Sequence, residues 1–300
     1  MPRSAASSHL PAGALAAALL AFGSTSARAQ DAATVARPDG SRAGACEERD
    51  DRGWDDGRRG FACERRTLTL SPRRTLRLDA GANGGATIRG DDERRAPLVV
   101  ALVTAHARTD AEAARLAAAV RLVDDGGTLR AEGLRGRDMG DDGDDRAWWS
   151  VSWRVEVPRR TDLDVQTHNG GVQVANVAGR LRLESNNGGM QLDGVGGDVV
   201  ARTNNGGARA TLAGRAWDGA GLPDAGLDLH SNNGGAVLRV PADYSARVSV
   251  GTNNGGLAVD FPVTIQGRVN PRRLELTLGA GGAPVRVSTN NGGARLGRVE

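Results

Sequence analysis

The tripeptide Asn-Gly-Gly occurs seven times in this 300-residue chain, with its Asn at Asn83, Asn169, Asn187, Asn205, Asn233, Asn254 and Asn291. A tripeptide recurring at fixed phase marks a repeat architecture, in which each unit leaves an apolar face that only its neighbours can bury. Aligned on the Asn, the six copies from residue 159 onward share one pattern. Two positions earlier stand Thr167, Ser185, Thr203, Ser231, Thr252 and Thr289, all hydroxyl residues. Four and six positions earlier stand Leu163/Val165, Leu181/Leu183, Val199/Ala201, Leu227/Leu229, Val248/Val250 and Val285/Val287. After the glycines the alternation resumes, as in Val172/Val174, Met190/Leu192 and Ala208/Ala210. Apolar residues at period two mean strands with one buried face. Glycine accepts positive φ without steric cost, so Asn-Gly-Gly is expected to form the corner between two strands.

Spacing selects an architecture. Asn169, Asn187 and Asn205 are 18 residues apart, which fits one coil of a narrow, single-stranded β-solenoid. The gaps to Asn233 and Asn254 fit one coil with an insertion each. The gap of 37 to Asn291 fits two coils, the middle one using Gly279-Ala280-Gly281-Gly282 as a degenerate corner. A meander of antiparallel hairpins is the competing reading, because Asn-Gly also makes hairpin turns. Identical corners at identical phase form ladders only where each coil repeats the last, and this favours the solenoid. Coils about 4.8 Å apart would place the hydroxyls in one column and the corner Asn side chains in another.

The residue before each corner Asn is His168, Asn186, Asn204, Asn232, Asn253 or Asn290. These are expected to face solvent as a polar ridge able to contact a cell-wall or surface glycan; the plainer alternative is a row of solvated turn residues. Outward strand positions would set Asp164 beside Arg182 and Glu184 beside Arg202, exposed pairs contributing about 0–1 kcal/mol each.

Residues 67–158 read as a β-rich capping part. Leu68, Leu70, Leu76 and Leu78 alternate, and Leu98–Thr104 is an apolar run fitting a buried strand. Thr109-Asp110-Ala111-Glu112 is a capping-box sequence, followed at helical spacing by Ala113, Leu116, Ala117 and Val120. One short helix over about 109–120 follows from this. Val120–Ala131 reads as a hairpin around Asp125-Gly126. Trp149, Val151, Trp153, Val155 and Val157 alternate strictly up to Pro158. This heavy strand suits a lid over the end of the stack.

The first 29 residues read as a signal peptide. Ala14–Phe22 is apolar but too short to span a bilayer, and Ala27-Arg28-Ala29 matches a signal-peptidase site. No Cys follows that site, and no later stretch reads as a membrane anchor. Export to the periplasm, cell surface or extracellular medium follows. In such a compartment the two cysteines of the chain, Cys46 and Cys63, are expected to form a disulfide holding the irregular leader, residues 30–66.

Little in the chain carries chemistry. All 39 basic residues are Arg, interleaved with 36 acids, so no basic stripe for nucleic acid exists. Asp138, Asp141, Asp142, Asp144 and Asp145 lack the ligand spacing of an EF-hand loop. His168 and His230 fall at different phases of the repeat, and no G-x-S-x-G or H-E-x-x-H occurs. No catalytic, cofactor or metal residue is assigned, and no enzyme is expected.

The T/S-x-N-G-G-V-x-V units, Trp148–Ser152 and the Gly279–Val287 segment resemble the bacterial putative-adhesin domain family of unknown function, also called toastrack-like, over residues 67–300. The resemblance implies a right-handed, single-stranded β-helix in an envelope or extracellular setting. No catalytic residues are established for the family. The function expected is that of a non-enzymatic, adhesin-like protein whose solenoid binds a glycan or another envelope protein. Two alternatives stay open. One is a polysaccharide-active β-helix enzyme, since acids such as Asp164, Glu184, Asp193, Asp198 and Asp228 face outward. The other is a structural stack associating end to end, since Glu300 closely follows the last corner.

Overall fold

The computed structural model describes residues 60–134, 147–262 and 270–299. The signal peptide, most of the leader with Cys46, and the acidic loop with Asp138 to Asp145 lie outside the described residues.

In chain order the elements are β1 (Gly60–Thr69), β2 (Thr75–Asp79), β3 (Ala86–Asp91), β4 (Leu98–Ala107), α1 (Asp110–Ala119), β5 (Arg121–Asp125), β6 (Thr128–Glu132) and β7 (Trp148–Pro158). The repeat follows as strand pairs, each split by an Asn-Gly-Gly. These are β8 (Asp162–Thr167) with β9 (Val172–Ala175), β10 (Ala178–Ser185) with β11 (Met190–Asp193), and β12 (Gly196–Asn205) with β13 (Ala208–Thr211). Next come β14 (Gly226–Asn233) with β15 (Ala236–Val240), β16 (Ala246–Asn254) with β17 (Leu257–Val259), the single strand β18 (Arg273–Leu278), and β19 (Pro284–Asn291) with β20 (Ala294–Arg298).

The strands form two ten-stranded mixed sheets. The first runs β1-β4-β7-β3-β9-β11-β13-β15-β20-β17 and the second β18-β16-β19-β14-β12-β10-β8-β2-β6-β5. Strands from successive repeats pair in parallel and in phase: Leu181 lies opposite both Leu163 and Val199, and Met190 opposite both Val172 and Ala208. Parallel register rules out the antiparallel meander for the repeat. It also puts the apolar positions of both sheets in columns facing each other. Leu163, Leu181, Val199, Leu227 and Val285 are buried on one side, and Val174, Leu192, Ala210, Leu238 and Leu296 on the other. Each such Leu or Val contributes about 1.5–3 kcal/mol by leaving water.

Three expectations are corrected. First, coils do not stack in chain order. The last repeat inserts between its two predecessors, so β19 pairs with β14 and β16, and β20 with β15 and β17. Gly279 to Gly282 therefore form no corner of an intermediate coil. They turn β18, which runs antiparallel to β16, back into β19. The coil before Glu300 is interior, and the outer edges at this end are β17 and β18. Second, β7 is no terminal lid. It lies inside the first sheet, parallel to β3 and antiparallel to β4, with β1 outermost. Both of its edges are paired, to β3 and β4, and its apolar face, with Val151, Trp153, Val155 and Val157, is buried in the core. Third, the hairpin turn is Gly126-Gly127, with φ of 56° and 84°, one residue beyond the expected pair. Two consecutive positive φ angles favour two glycines over Asp-Gly.

The helix forms where its capping box lies. Thr109 Oγ1 accepts from Glu112 N, and Glu112 Oε2 accepts from Thr109 N, both at 3.2 Å. Ala113, Leu116 and Ala117 are buried against the core, and the helix packs on β1 and β4. No described helix is long and apolar enough to cross a membrane.

Tyr244, the one tyrosine of the chain, marks the crossover. Residues 241–245 carry the chain from β15 past the position of the last repeat to β16, and Tyr244 fills the interior there at 2 % exposure. Burial pushes its phenol well above the ordinary 10.0 by disfavouring the anion. Above that ordinary value the unfolded chain loses the proton while the folded chain keeps it, so stability falls as pH rises, by up to about 1.4 kcal/mol per pH unit. Urea midpoints from neutral pH to pH about 11 should show this fall, and Tyr244→Phe should flatten it. An equal slope in the variant would show that another group is responsible.

Candidate functional site

The Asn-Gly-Gly corner is a stacking device. Of its glycines only Gly234 and Gly292 have positive φ, at 154° and 156°. Conformational freedom was the expected reason for glycine, and the structure gives another: space. A Cβ on the first glycine would lie 2.0–2.4 Å from a backbone oxygen of the neighbouring strand, as for Gly188 against Gly170 O at 2.1 Å. At the second glycine the nearest atoms are 3.0–3.6 Å away, and Gly256 meets nothing. Residues with φ near +57° sit instead at the opposite corner, Asn176 at 56° and Gly194 at 58°.

The hydroxyl column explains the crowding. Ser185 donates to Gly170 O at 2.9 Å, Thr203 to Gly188 O at 2.7 Å, and Ser231 to Gly206 O at 2.7 Å. Thr289 donates to Gly234 O at 2.6 Å and Thr252 to Gly292 O at 2.7 Å. Each hydroxyl is buried and satisfies a carbonyl of the adjacent coil, not another hydroxyl.

The corner Asn side chains form a continuous ladder. Asn169 donates from Nδ2 to Asn83 Oδ1 at 3.1 Å, and Asn187 to Asn169, Asn205 to Asn187 and Asn233 to Asn205 at 2.8–2.9 Å. Asn291 then donates to Asn233 at 2.8 Å and Asn254 to Asn291 at 3.0 Å. Asn83, 86 residues before Asn169, is thus the first member. All seven are exposed.

The predicted ridge is a second ladder rather than a row of free side chains. Asn186 Nδ2 meets His168 Nδ1 at 3.3 Å, and Asn204 donates to Asn186 Oδ1 at 2.9 Å. Asn290 donates to Asn232 Oδ1 and Asn253 to Asn290 Oδ1, both at 2.7 Å. His168, Asn204 and Asn253 are exposed, while Asn186, Asn232 and Asn290 are half-buried. The in-phase backbone that stacks the corners also brings these amides within bonding reach. No bond joins Asn204 to Asn232, so the ridge has two halves.

Each half borders a groove on the outer face of the second sheet. One, of about 510 Å³, holds His168, Asn186 and Asn204 beside Asp79, Glu184 and Arg202. The other, of about 880 Å³, holds Asn253 and Asn290 beside Asp228, Arg272 and Arg286. The expected register neighbours Asp164/Arg182 and Glu184/Arg202 are paired residues, but the ion pairs run elsewhere. Arg182 reaches Asp198 at 2.5 Å, Arg202 reaches Asp228 at 3.9 Å, and Arg77 takes Asp164 at 3.9 Å. The first two are diagonal contacts two residues off register, within reach of a long side chain. His230 Nδ1 lies 2.9 Å from Ser288 Oγ, apart from His168.

Sequence reasoning passed over Arg272 and Arg286. Their positions were legible as outward and near a turn. Their meeting in one groove depends on β19 entering between β14 and β16, which the repeat does not encode.

Among the described residues no group of His, Cys, Asp and Glu could hold a metal ion. Cys63 stands on β1, and no free cysteine occurs among the described residues.

No family model matches the chain, and no curated protein matches it. The structure is similar to that of a putative cell adhesion protein from Clostridium sporogenes, with a TM-score of 0.42 and 12% identity over 79% of this chain and 100% of that one. It is also similar to a putative adhesin from Bacteroides fragilis, with a TM-score of 0.28 and 7% identity over 79% and 97% of the two chains. A putative adhesin from Parabacteroides merdae matches with a TM-score of 0.23 and 8% identity over 80% and 97%. Two of these neighbours are described as putative adhesins and one as a putative cell adhesion protein.

Proposed function

We propose that the protein is an exported, non-enzymatic, adhesin-like module, a right-handed β-solenoid that binds a hydroxyl-rich envelope or surface glycan along its amide ridge. The observation that carries this reading is the second ladder. Its amides are tied to one another across coils, yet each keeps a second N–H and a carbonyl lone pair for a ligand. Side chains already held in place lose little rotamer freedom on binding, and this favours affinity. Three of the five outward acids, Asp164, Asp198 and Asp228, are engaged by Arg77, Arg182 and Arg202, an arrangement that favours a scaffold over an acid-base pair. Export rests on the N-terminal segment, and a bridge between Cys46 and Cys63 belongs to the same proposal.

The test is retention of the mature chain on insoluble peptidoglycan and on a panel of neutral polysaccharides. Binding is expected, and Asn186→Ala with Asn204→Ala should reduce it about tenfold, the loss of one or two ligand hydrogen bonds, with the urea midpoint little changed. Retention that survives these changes, and also Asn253→Ala with Asn290→Ala in the other half, would remove the ridge as the site. Release of soluble sugar from any panel member would favour the enzymatic alternative.

A further inference from the structure

We infer that the larger groove, between β18 and the outer faces of β14, β19 and β16, is a binding site for a polysaccharide carrying oxyanion groups, carboxylate or sulfate. This deepens the glycan-binding reading above and rests on it. Arg286 stands on β19 in register with Asp228 on one side and Ser249 on the other. Asp228 is engaged by Arg202 at 3.9 Å, and Arg273 by Glu275 at 2.8 Å. Arg272 and Arg286 are exposed and form no ion pair with a described residue. The groove therefore holds two guanidinium groups without a carboxylate partner. A guanidinium presents a planar fork of donors that matches a carboxylate or sulfate in two parallel hydrogen bonds.

The rest of the groove suits a sugar. Asn253 is the last member of its ladder: it donates to Asn290 Oδ1 at 2.7 Å, and its own Oδ1 remains an acceptor for a ligand hydroxyl. Asn270 Oδ1 accepts from Arg272 N at 2.9 Å and so fixes the backbone that carries Arg272. A volume of about 880 Å³ holds an extended stretch of saccharide. The smaller groove differs in charge, because Asp79 and Glu184 face Arg202, which is itself engaged by Asp228. An acidic chain would be directed to the larger groove, and a neutral one has no such preference.

The experiment compares retention of the full mature chain on immobilised polygalacturonate, heparin and dextran at about physiological salt. Polygalacturonate supplies carboxylates, heparin mainly sulfates, and dextran neither. One charged matrix or both should bind more tightly than dextran, and which one does identifies the oxyanion. Arg272→Gln with Arg286→Gln should weaken that binding at least about tenfold, the loss of one or two charge-assisted hydrogen bonds, and leave dextran unaffected. Arg89→Gln with Arg209→Gln, exposed on the outer face of the first sheet, removes the same charge elsewhere and should change little. Equal losses in the two double variants would reduce the effect to bulk charge and overturn the site. Dextran binding as tight as the charged matrices would overturn the inference while leaving the glycan-binding reading standing. Binding to none of these or to the neutral panel would sink both.

Discussion

Gly188→Ala is expected to cost more than about 3 kcal/mol, whereas Gly189→Ala, one residue away, should cost less than about 1 kcal/mol. At Gly188 the new Cβ would sit 2.1 Å from Gly170 O and 2.4 Å from Gly170 C. Both are backbone atoms of the adjacent coil, so no rotamer change relieves the clash. The same Gly170 oxygen receives the Ser185 hydroxyl at 2.9 Å, so moving the coils apart also loses a buried hydrogen bond. At Gly189 the nearest atom is Gly207 O at 3.4 Å, an ordinary contact. Both substitutions restrict the unfolded chain equally, so the difference between them isolates the native clash. At Gly256, where a Cβ meets nothing within 4 Å, Ala should be neutral or stabilise by up to about 1 kcal/mol. Urea midpoints of the three variants with unchanged slopes provide the check. Similar losses at Gly188 and Gly189 would mean that backbone freedom, not interlocking of coils, selects these glycines.

The second large effect concerns the other end of the stack. Arg66, on β1, turns its side chain inward and is 7 % exposed. Its guanidinium donates to Val120 O and, at 2.8 Å, to Ala117 O, and pairs with Glu64 at 2.5 Å. Those carbonyls close α1, whose last turn has no basic residue of its own. Helix C-terminal carbonyls lack intrahelical partners and carry partial negative charge. Arg66→Met keeps the apolar stem and strands Val120 O, while Ala117 O keeps the Val120 N–H at 3.1 Å, so a loss of about 1–3 kcal/mol is expected, the cost of one buried unsatisfied acceptor. Arg66→Lys should recover part of it, because an ammonium cannot span the same three acceptors in one plane. Hydrogen exchange should show the amides of residues 110–119 losing protection before those of the repeat. An unchanged urea midpoint for Arg66→Met would dismiss this role.

Neither effect could be read from composition, yet the sequence carried much of the frame. Leu181/Leu183 and their equivalents were identifiable as buried columns from period two alone, because a strand puts alternate side chains on opposite faces whatever it pairs with. The helix was equally legible, because Thr109 and Glu112 are local partners. The corner Asn ladder followed from in-phase stacking, and the structure places Asn83 at its head. The glycines were placed correctly for the wrong reason, since a close approach from 18 residues away leaves no local signature. The ridge residues His168, Asn186 and Asn204 were found, but their mutual bonds were not. A position that looks outward in one coil acquires a partner only when the next coil is present.

Most of the site's character turned on coil order. Every coil carries the same hydroxyl, Asn and paired glycines, so any coil offers its neighbour nearly the same edge, and the repeat does not state which copy sits beside which. The sequence by itself determined the strands, their inward faces, the helix and the chemistry of each corner, because those depend on neighbours one to four residues away. Only the tertiary structure decided that the coil of Asn291 lies between those of Asn233 and Asn254, that β7 is interior, and that Arg272 and Arg286 share a groove. Those outcomes depend on which of several equivalent edges fills a gap. The crossover past that gap, with Tyr244 buried in it, joins β15 to β16 across a distance that no local pattern spans.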